Sequence, residues 1–274
     1  MTREDLAAFH QSAYRPANST LIVVGDVPPD PLLSLLETHF GKWQPARADS
    51  VVRQPAPVTQ SPPRQVMLVD LPNAPQSRVL VGSAGTSGAM SDFFPIQVLN
   101  TVLRIRFGSG QNATLRDYTS GVRSGFDLRK SAGPFLMATA AQTDKTAEVL
   151  SELLKELTGL LKGIPPEETT RAKEEIALQF PRTFEAAGRI SNRLKAVESM
   201  LVYGLPDDYY ARYVPAIQAV SAADVQRVAQ QYIQPDHLTM VIVGARKTIE
   251  QPLRAMNLGS IKDVSVDEVL APAR

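Results

Sequence analysis

The clearest hydrophobic pattern in the chain is a helical stripe over residues 144–162. Its apolar side chains recur at intervals of three and four residues, at Val149, Leu150, Leu153, Leu154, Leu157, Leu160 and Leu161. Because an α-helix turns once in about 3.6 residues, this spacing places the whole set on one face. The pattern therefore predicts an amphipathic helix, Asp144–Lys162, that packs this face against a core.

Short runs of β-branched and aromatic residues bounded by Gly, Pro, Asn or Asp predict strands. They cover Gln65–Leu71, Arg78–Ser83, Thr119–Asp127, Pro134–Ala141 and Leu238–Gly244. Further helices are predicted over Asp92–Leu103, Pro165–Phe180 (where Pro181 should end or kink the helix), Gly188–Tyr203, Asp207–Ala219 and Ala222–Tyr232. This order of elements predicts an α+β fold, an antiparallel-rich sheet with helices packed on one face.

The chain also contains an internal repeat at an offset of 219 residues. The copies begin at Thr2-x-x-Asp5 and Ser221-x-x-Asp224, and each start is a helix N-cap signature. A helix, a proline and a β-branched run ending at glycine follow in both copies, with the pairs Leu6/Val225, Pro16/Pro235, Thr20/Thr239, Leu21/Met240, Val23/Ile242, Val24/Val243 and Gly25/Gly244. A second helix is predicted after each run, over Pro31–Phe40 and Thr248–Met256. Each copy is therefore interpreted as a helix–strand–helix unit that ends a domain.

The repeat determines the predicted domain boundaries. Residues 1–42 are interpreted as the C-terminal remnant of a first homologous domain, residues 64–259 as a complete second domain, and residues 260–274 as a tail. Residues 43–63 contain five prolines and are interpreted as a linker, with an extended arm packed on a surface as the alternative. Since no domain body precedes the first copy, the chain is expected to be a fragment or a processed piece.

Composition and charge exclude several classes of protein. The chain has 29 Lys and Arg against 28 Asp and Glu, so it carries no global electrostatic signature of a partner such as nucleic acid. It has no cysteine, which excludes disulfide scaffolds, Cys-ligated zinc, iron–sulfur clusters and thiol nucleophiles. No apolar run reaches 18 residues and no signal-peptide pattern opens the sequence, so no membrane insertion is expected.

Few residues in the chain suggest catalytic chemistry. The three histidines, His10, His39 and His237, are far apart in sequence, so no metal, cofactor or catalytic site is predicted. Basic clusters occur at Arg104/Arg106, Arg123 and Arg129/Lys130. They are interpreted as solvated faces or, alternatively, as the lining of a cavity for an anionic or peptide substrate. Core packing is the interpretation for a group of tyrosines: Tyr203, Tyr209, Tyr210 and Tyr213.

The repeated pattern resembles a known peptidase family. T-x-x-D-L-x-x-F…Y-x-P-x-N-x-T-L-I-V-V-G-D, here Thr2 to Asp26, is similar to the end of the catalytic half of pitrilysin/insulinase-type zinc peptidases (inverzincins). Segments similar to the second half follow: Phe107-Gly-Ser109, Leu115-Arg116, Thr119-x-Gly121-Val, Gly125-Phe126 and Gly133-Pro134-Phe135. The resemblance runs from Thr2 to about Gly259. It implies two homologous α+β halves, as in the mitochondrial processing peptidase and the core proteins of respiratory complex III.

The resemblance also implies where zinc belongs. In this family an H-x-x-E-H motif and a distant Glu, all in the first half, bind the metal, and the motif Glu acts as general base. The motif occurs nowhere in the 274 residues. Zinc is therefore expected only in a missing N-terminal half or a partner subunit, and this chain is expected to bind no cofactor and to be inactive alone.

The family's second half implies a set of substrate-facing positions. It normally supplies an Arg and a Tyr that help to hold substrate over the zinc, where a cation and a phenol suit developing negative charge. In this sequence the Arg position falls on Gly110 and the Tyr position on Ser120. Tyr118, Arg106 and Arg123 lie nearby and are the candidates to substitute. These five residues form the predicted substrate-facing set.

The sequence thus predicts a non-catalytic half or subunit of a pitrilysin-like zinc metallopeptidase. It would form one wall of a chamber for peptide or unfolded-protein substrates and pair with a homologous zinc-bearing domain or subunit. A structural or assembly scaffold of the same fold is the alternative, and an enzyme of unrelated chemistry is a third hypothesis. The location is left open, with the periplasm favoured over the cytoplasm because bacterial relatives are often exported.

Overall fold

The computed structural model describes residues 1–43, 61–87, 91–108, 112–129, 131–185, 190–265 and 267–268. The helices are α1 (Arg3–Ala13), α2 (Pro29–Phe40), α3 (Phe93–Gly108), α4 (Ala113–Tyr118), α5 (Thr146–Lys162), α6 (Pro166–Glu185), α7 (Ile190–Tyr203), α8 (Tyr209–Ala219), α9 (Ala222–Tyr232) and α10 (Arg246–Ala255). The strands are β1 (Gln65–Asp70), β2 (Gln76–Ala84), β3 (Thr119–Phe126), β4 (Pro134–Gln142), β5 (Thr239–Gly244) and β6 (Ser260–Val264).

The described strands form one sheet in the order β3-β4-β2-β5-β1-β6. The pairings β3–β4, β4–β2 and β2–β5 are antiparallel, while β1 pairs in parallel with β5 and β6. The stripe predicted for α5 is confirmed, since Val149, Leu150, Leu153, Leu157 and Leu160 are all buried. The α+β fold with an antiparallel-rich sheet and helices on one face is likewise confirmed.

The first halves of the two repeat copies have the same local structure at the same offset of 219. Helix α1 and the 3-10 turn Pro16–Asn18 correspond to α9 and the turn Pro235–His237. Both helices begin with a capping box. The backbone N–H of Asp5 donates to Thr2 Oγ1 at 3.2 Å, and that of Asp224 donates to Ser221 Oγ at 3.1 Å. Such caps depend only on neighbouring residues, so both copies form them.

The copies differ at the predicted strand. In the second copy it is β5, which pairs with β1 on one side and β2 on the other. In the first copy, residues 19–24 have no regular structure, so the prediction of a strand there is wrong for this chain. A strand needs hydrogen-bonding neighbours, and no described strand pairs with residues 19–24. The second helix follows in both copies, as α2 and α10.

Three other elements differ from the prediction. Residues 260–264, assigned to a tail, form β6, whose short run has too few apolar residues to show a strand pattern. The short helix α4 was not predicted either. Helix α6 continues through Pro181 to Glu185, so of the two predicted effects of this proline, an end or a kink, the end is wrong.

The chain divides into two compact units, and the predicted domain boundaries stay a prediction. The first contains Met1–Ala56 and Pro181–Pro206, and the second contains Pro57–Phe180 and Asp207–Arg274. Helix α7 therefore belongs to the first unit. None of the α7 side chains that the structure describes is buried, and Leu201 is 54% exposed. The sheet and its core lie in the second unit.

A buried carboxylate joins α9 to the start of α3. Asp92 accepts hydrogen bonds from Arg227 Nη2 at 2.7 Å, Arg227 Nη1 at 3.0 Å and the Tyr232 hydroxyl at 2.9 Å. Its backbone oxygen accepts from Ile96 N–H in the first turn of α3. The hydrogen bonds from Arg227 hold the pKa of Asp92 below its usual value, despite the opposing effect of burial.

We expect Asp92→Asn to lower the free energy of unfolding by about 2 kcal/mol near neutral pH, because Arg227 loses its ionic partner. A carboxylate with a lowered pKa stabilises the folded state fully above its unfolded pKa of about 3.9, and this stabilisation is lost as the pH falls through the folded pKa. Urea unfolding of the unchanged chain and of Asp92→Asn should therefore give free energies of unfolding whose difference narrows below about pH 4. Asp117→Asn, at an exposed ion pair with Arg116, is the control. A difference in the free energy of unfolding that does not change with pH would contradict the assignment of this stabilisation to the ionised carboxylate of Asp92.

Candidate functional site

The sheet has one face whose side chains are partly or fully exposed. Strand residues alternate between the two faces, so the buried Val79 and Val81 point towards the core and Arg78 and Leu80 point away from it. The same alternation in the other strands defines what is here called the open face: Met67, Arg78, Leu80, Gly82, Arg123, Leu136, Ala138, Thr239 and Val241. Most of these side chains are small or aliphatic.

One cross-strand row runs over the whole open face. Arg123 lies opposite Ala138, which lies opposite Leu80. The row continues from Leu80 through Val241 and Met67 to Lys262 on β6. An aliphatic strip with a cation at each end therefore crosses all six described strands.

Two of the predicted substrate-facing residues meet in one concavity on this face. Ser120 and Arg123 line an open space of about 460 Å³ together with Arg78, Leu80, Gly108, Ala138 and Ala140, among others. An odd spacing of three would normally place Ser120 and Arg123 on opposite faces of a strand. A β-bulge between Thr119 and Val122 adds one residue and brings both to the same concavity. Gly121 allows the bulge, since its φ of 100° lies in a region that favours glycine.

Arg106 lies elsewhere and has a partner. Its guanidinium donates to Glu168 Oε1 at 2.8 Å and to Oε2 at 2.9 and 3.2 Å, which joins α3 to α6. It lines a separate concavity of about 530 Å³ that also contains Asn112, Glu152 and Glu156. Asn112 donates to both of these carboxylates and, with Lys155, holds the pKa of Glu152 below its usual value. Arg106 therefore forms a structural ion pair with Glu168 and does not lie beside Arg123 on the open face.

The two remaining predicted residues do not extend the site. Tyr118 ends α4, packs partly buried against the core and has Lys145 Nζ at 5.2 Å from its ring centroid. Gly110 lies outside the described residues. Arg78, in contrast, is a residue that sequence reasoning missed, because only strand pairing brings it close to Ser120 and Arg123.

The tyrosine group predicted to pack in the core does so in part. Tyr209, Tyr210 and Tyr213 form an aromatic cluster with Phe94 and Phe180, and the rings of Phe180 and Tyr213 stack at 4.6 Å. Burial raises the pKa of Tyr213 to about 12 and that of Tyr209 further. These phenols therefore stay protonated near neutral pH. Tyr203 lies in α7, in the first unit.

The histidines and acids that the structure describes do not fit a zinc site. His10 stacks on Tyr14, His39 lies exposed in the last turn of α2, and His237 Nδ1 lies 3.0 Å from the Ser61 carbonyl oxygen. Among the residues that the structure describes, no group of three or more His, Cys, Asp or Glu side chains is placed to hold a metal ion. Zinc prefers several convergent nitrogen, sulfur or carboxylate ligands, and this donor set does not supply them.

The first unit presents apolar side chains to solvent, and the repeat counterparts of some of them are buried. Phe9 is 62% exposed, whereas its counterpart Val228 is fully buried. Leu21 is 59% exposed and its counterpart Met240 is fully buried. Tyr14, Val23, Val27, Leu33 and Phe40 are also exposed. Apolar surface of this extent is typical of an interface with another polypeptide.

No helix in the described part of the chain is both long enough and apolar enough to cross a bilayer.

Comparison with known sequences identifies relatives of this chain. The sequence profile of the peptidase M16 inactive domain matches residues 1–176. An uncharacterized zinc protease of Mycobacterium leprae is 25% identical over 278 residues, an alignment that covers 93% of this chain and 58% of the relative. A probable mitochondrial-processing peptidase subunit beta of Arabidopsis thaliana is 22% identical over 261 residues, which cover 89% of this chain and 47% of that protein.

Solved structures show the same fold. The crystal structure of a peptidase M16 inactive domain from Pseudomonas fluorescens has a TM-score of 0.73 at 21% identity and covers 89% of this chain and 58% of that one. The crystal structure of a protease from Helicobacter pylori has a TM-score of 0.71 at 20% identity, and the match covers 89% of this chain and 59% of that one. The chain spans about half to three fifths of the length of these relatives. The profile match, which extends over more than half of the sequence, shows that the chain belongs to the peptidase M16 inactive domain family, as the resemblance to pitrilysin/insulinase-type peptidases predicts.

Proposed function

We propose that this chain is a non-catalytic part of an M16 zinc metallopeptidase and that the open face of its sheet forms a wall that binds extended peptides. The observation that carries the proposal is the open face itself, where small and aliphatic side chains surround two concavities. One is the space of about 460 Å³ beside Arg78 and Arg123. The other, of about 530 Å³, is lined by Leu80, Gly82, Leu136 and Val241, among others. Clefts of this size lined by apolar residues are typical binding sites.

The edge of the sheet supports the same proposal. Strand β3 is an edge strand, so its outer backbone N–H and C=O groups have no strand partner among the described residues. An extended peptide adds to such an edge by main-chain hydrogen bonds, and side-chain pockets next to it supply selectivity. Because Ser120 and Arg123 belong to β3, the edge and the concavity form one continuous surface for a peptide.

Hydrolysis is assigned in this proposal to a homologous zinc-bearing domain or subunit. The donor groups in the described part of this chain do not fit zinc, so the contribution assigned to the chain is to bind and orient the peptide. The exposed apolar side chains of the first unit, such as Phe9 and Leu21, support an interface with that partner.

We expect the pure chain to bind no stoichiometric zinc and to cleave no peptide. Metal analysis after dialysis against zinc, together with cleavage assays on unfolded casein with and without a chelator, checks this. The physical reason is the lack of convergent ligands, since zinc needs about four of them and His10, His39 and His237 do not converge. Stoichiometric zinc with chelator-sensitive cleavage by the pure chain would overturn the proposal.

Peptide binding to the open face is testable with a matched pair of variants. Leu80→Glu places a charge in the middle of the aliphatic row, whereas Leu178→Glu makes the same change on α6, at a side chain that is 62% exposed. We expect Leu80→Glu to weaken the binding of labelled unfolded peptides by about tenfold, because apolar contact is lost, and Leu178→Glu to have little effect. Fluorescence anisotropy measures the affinities, and circular dichroism verifies that both variants fold. Equal affinities of the two variants for the peptides would exclude the open face as the peptide-binding surface.

A scaffold without peptide binding is the second candidate function. It is favoured by Ser120, a small hydroxyl at the position where the resemblance implies a Tyr. In that case the chain would associate with a zinc-bearing homologue while labelled peptides fail to bind at any concentration tested.

A further inference from the structure

Arg78 and Arg123 are exposed cations without a counter-charge in their concavity. Its lining includes no carboxylate, and neither guanidinium forms an ion pair within the described part of the chain. Several other arginines of the second unit differ in this respect, although Arg64 and Arg171 also form no ion pair in the described part of the chain. Arg104, Arg106 and Arg227 each pair with a carboxylate, at 2.7, 2.8 and 2.7 Å. The open-face pair is therefore available to an external anion.

The spacing of the two arginines suits an extended ligand. Arg123 lies opposite Ala138 and Arg78 opposite Ala140, and both alanines belong to β4, the strand between β3 and β2. With about 4.8 Å between neighbouring strands and about 3.4 Å per residue, the two Cα atoms lie about 12 Å apart. Only alanine methyl groups lie between them on this face, which leaves the concavity open above β4.

We propose that Arg78 and Arg123 bind the carboxylates of an acidic, extended peptide segment lying on the open face. The inference rests on the proposed function and names the substrate class that this face selects. Guanidinium groups bind carboxylates through paired, charge-assisted hydrogen bonds.

The surroundings favour a peptide over a nucleic acid. Alternate side chains of an extended peptide point the same way about every 6.8 Å, so acidic residues four positions apart, about 13.6 Å, come close to the separation of the arginines. The lining side chains are aliphatic or small, and none of the lining residues is aromatic. Single-stranded nucleic acids are usually held by aromatic stacking as well as by cations, and this surface supplies only the cations.

The test uses the full chain and two labelled peptides that differ only in charge. One has Glu at alternate positions with Val and Ser between them, and the other has Gln in place of each Glu. We expect the Glu peptide to bind at least about tenfold more tightly than the Gln peptide, with the difference shrinking at high salt. The double variant Arg78→Ala/Arg123→Ala should remove this preference, so that it binds the Glu and Gln peptides with equal affinity.

Arg171→Ala, on the exposed surface of α6, removes one positive charge elsewhere and should leave the preference intact. Equal binding of the Glu and Gln peptides, or a preference that survives in the double variant, would overturn the inference and leave the proposed function standing. Binding of neither peptide would instead overturn the proposed function itself. Displacement of the Glu peptide by a single-stranded oligothymidylate of equal charge would overturn the assignment to peptides.

Discussion

Replacing Phe135 with alanine should lower the free energy of unfolding of the second unit by about 3–5 kcal/mol. Phe135 lies in β4 and is fully buried, and its ring lies 4.9 Å from the ring of Phe126 on the neighbouring strand β3. Removing it loses the transfer free energy of a large apolar side chain and leaves a cavity that close-packed neighbours fill only in part. Such a loss is a large fraction of the stability of a typical domain.

The adjacent residue is the control for this prediction. Leu136 points to the open face and is 39% exposed, so Leu136→Ala should change the stability by less than about 1 kcal/mol. Urea unfolding followed by far-ultraviolet circular dichroism compares the two variants. Fluorescence of Trp43, the only tryptophan in the sequence, reports on the first unit and is recorded in parallel. Similar losses in both variants would contradict the assignment of the two faces of β4.

The repeat shows which parts of the fold were predictable from the sequence and why. The capping boxes at Thr2 and Ser221 and the helices after them depend on residues within a few positions. The pattern therefore predicted the first helix of each copy correctly. The run at Leu21–Gly25 has the same β-branched character as β5, yet only β5 is a strand. Strand formation depends on partners far away in sequence, and residue propensity does not reveal whether they are present.

The candidate site was predictable only in part for the same reason. Ser120 and Arg123 were selected from a resemblance, and the bulge at Gly121 that unites them had one visible signal, a glycine inside a strand pattern. Arg78 had no such signal in the sequence, because it lies 42 positions before Ser120. The two residues come close only because β2 and β3 both pair with β4. Arg106 was selected for its charge, but the acid that pairs with it, Glu168, is 62 positions away. Ion pairing between distant segments decides which arginines remain available, and the sequence alone does not display it.

The two kinds of exposed apolar surface suggest different roles. The open face combines aliphatic side chains with exposed cations and an edge strand, which suits a ligand that binds and leaves. Several exposed residues of the first repeat copy, among them Leu21 and Val23, instead match residues that lie in a core in the second copy. Phe9 and Val228 are one such pair. Core-like residues at a surface are typical of a permanent interface, whose composition resembles a domain interior.

Equivalent substitutions in the two copies should therefore have opposite effects on the isolated chain. Ile242→Asp should lower the free energy of unfolding by more than about 4 kcal/mol, because it buries a carboxylate without a partner in the central strand β5. Val23→Asp, at the equivalent position, should change it by less than about 0.5 kcal/mol, since Val23 is 47% exposed. Urea unfolding measures both.

The milder pair Ile242→Ala and Val23→Ala keeps the comparison available if Ile242→Asp does not fold. Ile242→Ala should lower the free energy of unfolding by about 2–5 kcal/mol, and Val23→Ala should leave it almost unchanged. Val23→Asp should nevertheless weaken association with a zinc-bearing homologous domain, measured by analytical ultracentrifugation, because a charge would enter that interface. Equal destabilisation by both aspartates would mean that Val23 lies in a core of this chain. An unchanged association would mean that the first repeat copy is not the surface that meets the catalytic partner.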